Sequence, residues 1–447
     1  MLQRFLDLAS AGPDFPALID ADSGHVTTRA ALRVRAEELA AQLAGAGLAA
    51  GELVAIQLPN SVDFVAAFLA VLMLRLIAVP IDRDAPSTEV GAILSHFAIK
   101  GFLYRGGIST RAVQSQPVLP KEARLIKLTS GSTGTPKGIV TSEANLAADC
   151  TNICSTMDIR PQDRNLGAIP MSHSYGFSNL VTPLLMQGTA VVVSNDYLPQ
   201  SLLDLANRER CTVVPAIPMV FEHLTIAAKG DFHTVRTFLS AGAPLPAQTS
   251  RRFRERFGLP IHTFYGCSEC GGITYDRAGA AVERGTAGAA MEGVELSLDP
   301  KTQRLGVRGG SVALGYLHDA STFKPFESGT FLTDDLVELA DGEVVLTGRV
   351  GDLINTAGKK VNPREVEAVI LQLEGVRQAK VYGEPAGARG EVVAAAIVAS
   401  PDVTREQVRE FCRARLSPHK VPRIVKLIEA IPVDERGKVK RAVLATL

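Results

Sequence analysis

The sequence predicts an α/β protein: a large N-terminal domain with parallel sheets over residues 1–350, then a small C-terminal α+β domain over residues 351–447. Three observations carry this. Short apolar runs alternate with helix-period segments through most of the chain, the pattern of parallel sheets joined by helices. The pattern changes near residue 350, where a tail rich in strand and helix signals begins. The length, 447 residues, is enough for two or more domains with a sizeable core.

The elements follow in order. Thr27 is placed to cap a helix whose apolar residues fall at Leu32, Ala36, Leu39 and Leu43, ending at Gly45 or Gly47. Residues 53–58 read as a strand and residues 61–74 as a helix. Phe64 opens the most apolar stretch, which Arg75 breaks after about 11 residues. A membrane span needs roughly 18 or more, so this is a buried core helix. Residues 79–82, 189–193 and 212–217 read as strands. In the tail, Asn362 and Pro363 form an N-cap and first-position pair. The helix after them places Val366, Val369, Ile370 and Leu373 on one face and stops at Gly375. Strands follow at 378–382 and around 392–398. Thr404 opens a further helix with Val408, Phe411 and Cys412 on one face.

Composition bounds the function. Lys plus Arg is 47 and Asp plus Glu is 47, so the formal charge is zero and no nucleic-acid or anionic-membrane footprint shows. Hydrophobic residues make up 46%, which argues against disorder. Arg4 and Asp7 interrupt any apolar stretch at the start, unlike a signal peptide. Six cysteines are too sparse for a disulfide scaffold, so a cytoplasmic, reducing context is expected. Cys267 and Cys270, with Cys150 and Cys154, also permit a zinc or redox reading. Both pairs are easily satisfied as core residues, which is the preferred reading.

One run stands out for chemistry: Thr129-Ser130-Gly131-Ser132-Thr133-Gly134-Thr135-Pro136-Lys137-Gly138, after a predicted strand at 124–128. Glycines let backbone N–H groups come close to a phosphate, hydroxyls donate to it, and Lys137 supplies charge. Pro136 before Lys137 rules out a Walker A loop. By composition alone, a flexible Ser/Thr/Gly linker reads equally well.

The order of these residues resembles the phosphate loop of the adenylate-forming superfamily: acyl-CoA synthetases, adenylation domains of peptide synthetases, and luciferases. Other segments resemble the family's motifs in the family's order, from about Gly51 to the C-terminus. In Tyr265-Gly266-Cys267-Ser268-Glu269, the resemblance implies that Tyr265 stacks on adenine, Ser268 touches phosphate and Glu269 helps hold Mg²⁺. Ser240-Ala241-Gly242-Ala243-Pro244 resembles the adenine-side loop that also lines the acyl pocket. Thr333-Asp334-Asp335 resembles Thr-Gly-Asp, with Asp335 on the ribose hydroxyls. Asp334 replaces the usual glycine and leaves the local turn open. Gly348-Arg349-Val350-Gly351-Asp352 resembles the segment that ends the large domain, with Arg349 on ribose or phosphates and Gly351 at the hinge. Gly358 and Lys359 fall on the loop that serves the thioester step. Lys438, in Gly437-Lys438-Val439-Lys440-Arg441, falls on the adenylation lysine.

The resemblance implies a multi-subdomain N-terminal domain and a mobile C-terminal lid. It implies ATP, Mg²⁺ and coenzyme A, or a carrier-protein phosphopantetheine, as cofactors. The expected reaction joins a small carboxylic acid to AMP, releases pyrophosphate, and passes the acyl group to the thiol. Pro170-Met171-Ser172-His173-Ser174-Tyr175-Gly176-Phe177 resembles the segment of acyl- and aryl-CoA ligases. His173 stands near where amino acid-activating domains carry an Asp, which disfavours an α-amino acid. His173, Phe177 and Ala241 imply a pocket for an aryl or modest aliphatic acid. An acyl-AMP ligase that loads a carrier protein, and a non-catalytic adenylate-binding protein, stand as alternatives. The chain is short for the family and looks abbreviated between Tyr104 and Arg124.

Overall fold

The most apolar stretch of the sequence forms the helix Val62–Met73, whose start is capped by the Ser61 hydroxyl accepting from the Phe64 amide. The computed structural model describes residues 1–129, 136–194, 196–327, 329–356, 359–385 and 391–432. Every side chain from 64 to 72 on this helix is buried. The core around it combines Leu18, Val191 and Val193 of one sheet with Val54, Ile56 and Ala78 of another. Each buried Phe or Leu contributes roughly 1.5–3 kcal/mol, so this helix is what the two sheets have in common. Among the described residues, no helix is long and apolar enough to cross a membrane.

The chain divides into two compact units, Met1–Leu296 with Val307–Phe331, and Ser297–Gly306 with the chain from Leu332 onward. The first unit is the large α/β part. One of its sheets runs parallel through Ile261–Cys267, Thr237–Ser240, Val213–Ala216, Arg164–Leu166, Ala190–Val193 and Pro16–Asp20 in spatial order. Antiparallel strands Gly271–Tyr275 and His25–Thr28 flank that run. The other sheet runs parallel through Ala123–Thr129, Ile77–Pro80, Leu53–Gln57 and Gly101–Tyr104. Lys137–Ser142, Gly315–Asp319 and Thr322–Pro325 extend it antiparallel on one side, and Gly107–Thr110 on the other. Strands such as Ala190–Val193 and Ile77–Pro80 are buried throughout, as parallel strands covered on both faces must be.

Two expectations need correction. The helix Arg29–Gly45 is capped by Thr28, whose hydroxyl accepts from the Ala31 amide, and not by Thr27. Thr27 lies inside the strand His25–Thr28, opposite Leu18, whereas Thr28 ends the strand and directly precedes Arg29. The strand expected at 79–82 is Ile77–Pro80, so Asp82 lies past its C-terminal end. Ligands of open α/β sheets bind at such ends.

In the second unit, Asn362 caps Pro363–Ile370 by accepting from the Arg364 amide at 3.1 Å. The helix stops short of Leu373, and Gly375 takes φ +86° where Ser400 and Val403 leave no room for a Cβ. Val376–Pro385 pairs antiparallel with Glu391–Ala399, which pairs parallel with Ile424–Leu427. Thr404 and Gln407 form a reciprocal capping box at the start of Arg405–Arg413. Val366, Ile370, Val381, Ile397, Val408 and Cys412 form one core. This is a small α+β domain, and it also contains residues 332–349, ahead of the change in sequence character at 350.

Candidate active site

The strands Ala123–Thr129 and Lys137–Ser142 lie on either side of residues 130–136 in the chain and place Thr129 opposite Lys137. The Thr129 hydroxyl donates to the Lys137 carbonyl at 3.4 Å. Ser130, Gly131, Ser132, Thr133, Gly134 and Thr135 lie outside the described residues. The Lys137 ammonium stands 5.5 Å from the centroid of the Tyr316 ring, within cation–π range.

The strand Ile261–Cys267 carries Tyr265 and turns back into Gly271–Tyr275, which puts Ser268 and Glu269 on the turn. A Cβ on Gly266 would strike the Gly271 carbonyl, so only glycine fits there. Behind the turn sits Asp149 of the helix Glu143–Met157, 2% exposed. It accepts from the Gly272 amide at 2.9 Å and from the Ser178 hydroxyl at 2.6 Å. Glu269 is held twice. Its carbonyl accepts from the Ala313 amide at 2.8 Å, and its Oε1 accepts from the Tyr316 hydroxyl at 2.7 Å. Ser268 shares a 2.7 Å hydrogen bond with Ser174.

Ser174 belongs to the segment 170–177. Asn60 anchors that segment by accepting from the Met171 amide at 2.7 Å and donating to the Ile169 carbonyl at 2.8 Å. His173 Nε2 lies 2.9 Å from Asp82 Oδ2. The Tyr175 hydroxyl donates to the Leu239 carbonyl at 2.8 Å, just before the loop of Ala241, Gly242, Ala243 and Pro244. Burial holds the Tyr175 phenol well above 10, so it stays a donor. Gly242 has φ +86° and Ala241 is buried. Phe177 is 1% exposed and meets Phe68 edge-on at 4.8 Å, in the core around the Val62–Met73 helix.

Gly176 packs directly on the Pro170 carbonyl, inside the distance at which a Cβ could be accommodated. Gly176→Ala is expected to lose about 1–3 kcal/mol by overpacking. At about 1–2 °C per kcal/mol for a unit of this size, thermal unfolding should show a midpoint about 1–6 °C lower. An unchanged midpoint would refute the close approach.

In the second unit, Asp335 and Arg349 lie opposite one another in an antiparallel pair, with Arg349 Nε 3.5 Å from Asp335 Oδ1. The strand Thr330–Ala340 runs straight through Asp334, so no glycine turn is present. Instead the Thr333 hydroxyl accepts from the Asp335 amide at 3.2 Å, and exposed Asp334 pairs with Arg304 at 3.0 Å. Gly351 sits in the short 3₁₀ turn Val350–Asp352 with open space at its Cβ position, so neither strain nor crowding demands glycine. Lys359 is exposed on the strand Lys359–Val361, opposite Thr356. Gly358 and Lys438 lie outside the described residues.

The AMP-binding enzyme family matches residues 5–128 and 104–317, and the AMP-binding enzyme C-terminal domain matches residues 365–438. The chain belongs to the AMP-binding enzyme family, within the adenylate-forming superfamily. Similar AMP-binding enzymes align along almost all of it. The long-chain-fatty-acid–CoA ligase of Mycobacterium tuberculosis is 27% identical over 98% of this chain and 96% of its own. A feruloyl-CoA synthase of Amycolatopsis sp is 28% identical over 93% of each. The O-succinylbenzoate coenzyme A synthetase of Bacillus subtilis, solved in complex with AMP, superposes with a TM-score of 0.82 at 25% identity, over 99% of this chain and 97% of its own.

The cysteines of this AMP-binding enzyme are free thiols. Burial pushes Cys211 up to about 12 and Cys412 up to about 11, which makes them poor nucleophiles. Cys150 and Cys154 lie one helical turn apart with sulfurs 3.8 Å from each other. Among the described residues, no group of three or more His, Cys, Asp or Glu is arranged to hold a metal.

Proposed function

We propose that this AMP-binding enzyme activates an aryl or modest aliphatic carboxylic acid and transfers it to coenzyme A. The reaction is an AMP-forming acid–thiol ligation. The acid's carboxylate attacks the α-phosphorus of ATP, a C–O–P bond forms, and pyrophosphate leaves. A thiolate then attacks the acyl carbon, a thioester forms, and AMP leaves.

The observation that carries this is the Ser174–Ser268 hydrogen bond. It ties the segment bearing His173, on the acyl side, to the turn bearing Glu269, on the phosphate side. An acid and a triphosphate bound to these two segments meet at that junction. Catalysis there is positioning and charge neutralisation, because anionic groups must approach one another. Thr129, Lys137, Ser268 and residues 130–135 bind phosphate oxygens. Tyr265, Gly266, Gly242, Ala243 and Pro244 line the adenine. Asp335 takes the ribose hydroxyls, and Arg349 the ribose or phosphates. Lys438 stabilises charge at the α-phosphate during adenylation. Gly351 is the pivot of the C-terminal domain, and Gly358 with Lys359 serves the thioester step.

Glu269 would hold Mg²⁺. It presents a hard carboxylate oxygen without, among the described residues, a surrounding cage of acidic ligands, which suits an ion that takes its other ligands from phosphate and water. When bound, Mg²⁺ neutralises charge on the pyrophosphate leaving group. His173 is oriented by Asp82, and Ala241 with Phe177 forms the wall behind the acyl group. The feruloyl-CoA synthase among the relatives supports an aryl acid. Six thiols without a disulfide support a cytoplasmic location.

The test is pyrophosphate release with ATP and Mg²⁺ across aryl, short, medium and long acids, with and without coenzyme A. One acid class should support release and yield an acyl-CoA. Acyl-AMP that forms but is never passed to coenzyme A would overturn the acceptor and point to a carrier-protein thiol. ATP binding with no turnover on any acid would favour a non-catalytic nucleotide-binding protein.

A further inference from the structure

We propose that Tyr316 is a positioning residue for adenylation: its hydroxyl sets one oxygen of the Glu269 carboxylate while its ring holds the Lys137 ammonium, so both charges are presented to one triphosphate. The proposal rests on the roles given above to Glu269 and Lys137.

The placement follows from strand register. Gly315–Asp319 pairs antiparallel with Lys137–Ser142, and Tyr316 lies opposite Ile139. Lys137 is two residues from Ile139 and therefore on the same face of the sheet, diagonal to Tyr316. The ring is fixed by edge-on contacts with Phe326, 4.9 Å between centroids, and Phe331, at 6.3 Å. Its hydroxyl reaches Glu269 Oε1 at 2.7 Å, and its face meets the Lys137 ammonium at 5.5 Å. Three residues earlier, the Ala313 amide holds the Glu269 carbonyl. One stretch of chain thus fixes the backbone and the carboxylate of Glu269 and the ammonium of Lys137.

The chemistry gives this arrangement a purpose. A carboxylate and an ammonium on neighbouring elements tend to pair directly, and each then loses its partner's share of the ligand's field. Among the described residues, Lys137 makes no ion pair with Glu269. The tyrosine stands between them, donating to the anion and giving its π face to the cation. Its bond to Oε1 leaves Oε2 to a cation bound with the triphosphate.

The test measures Mn²⁺ affinity, by paramagnetic resonance, for protein saturated with α,β-methylene ATP, which cannot be cleaved at the reacting bond. Tyr316→Phe keeps the ring and removes only the hydroxyl. It should weaken Mn²⁺ binding about tenfold, the scale of a hydrogen bond to a charged group, with the thermal midpoint unchanged. Glu269→Gln should weaken it at least as much, and the double variant no more than Glu269→Gln alone, because both act through one carboxylate. The Mg²⁺ needed for half-maximal pyrophosphate release should rise in Tyr316→Phe, while a supplied acyl-adenylate reacts with coenzyme A at the normal rate. If Tyr316→Phe binds Mn²⁺ normally while Glu269→Gln does not, the proposal is overturned and the role of Glu269 stands. Additive losses in the double variant also overturn it. If Glu269→Gln binds Mn²⁺ normally, the role of Glu269 falls and that of Tyr316 with it.

Discussion

Lys438→Ala is expected to cut acid-dependent pyrophosphate release by about 10²–10³-fold, the usual effect of removing one donor aimed at developing charge. The reason is electrostatic. The attacking carboxylate is anionic, and negative charge on the α-phosphate and the leaving pyrophosphate grows as the bond forms. A single ammonium placed at that point interacts with the transition state more strongly than with the separated reactants, which is what raises the rate. The neighbouring Lys440 and Arg441 carry the same charge, so the effect must be positional. Lys440→Ala should leave pyrophosphate release within about threefold, the small effect of a charge that takes no part in the reaction. The two half-reactions separate the role further. Acyl-adenylate supplied to Lys438→Ala should still pass its acyl group to coenzyme A at the normal rate, since that step needs no cation at the attacked phosphorus. Equal loss in both half-reactions would mean that Lys438 supports the fold and not the chemistry.

Much of the fold is legible in the sequence because helix and strand signals are local. The buried helix Val62–Met73, the Asn362-Pro363 start and the helix opened by Thr404 are read from a few adjacent residues. The misses occur where distant chain decides. Thr27 and Thr28 both belong to the strand His25–Thr28, opposite Leu18 and Pro16, and it is the end of that pairing at Thr28 that makes Thr28 the cap. Asp334 in place of glycine is resolved by Arg304, which comes from 30 residues away. The motif residues proposed for the site are picked out by their order, but the groups that hold them are not. Asp82 meets His173 across 91 residues, Ser174 meets Ser268 across 94, and Tyr316 meets Glu269 across 47. No spacing in the sequence announces such pairs. The one available hint was Asp82 at the C-terminal end of an apolar strand, where an α/β sheet presents its ligands.

Asp149 makes the same point and gives the second large effect. It is buried, and its carboxylate is the acceptor for both the Gly272 amide and the Ser178 hydroxyl. Asp149→Ala would strand both donors in the core, at about 1–3 kcal/mol each. A total of roughly 3 kcal/mol, at about 1–2 °C per kcal/mol for a unit of this size, lowers the thermal midpoint by about 3–6 °C. Function should fall with it, because Gly271 and Gly272 directly follow the turn of Ser268 and Glu269, and a Cβ on Gly271 would run into the same carboxylate. Asp149→Asn separates hydrogen bonding from charge. Its amide oxygen can accept from Gly272 while its NH₂ donates to Ser178, whose hydroxyl rotates to accept. Asn should therefore recover most of the midpoint that Ala loses. If Asn is as damaging as Ala, the negative charge itself holds the turn. If Ala unfolds at the normal temperature, the turn is held by the strand pairing of Ile261–Cys267 with Gly271–Tyr275 alone.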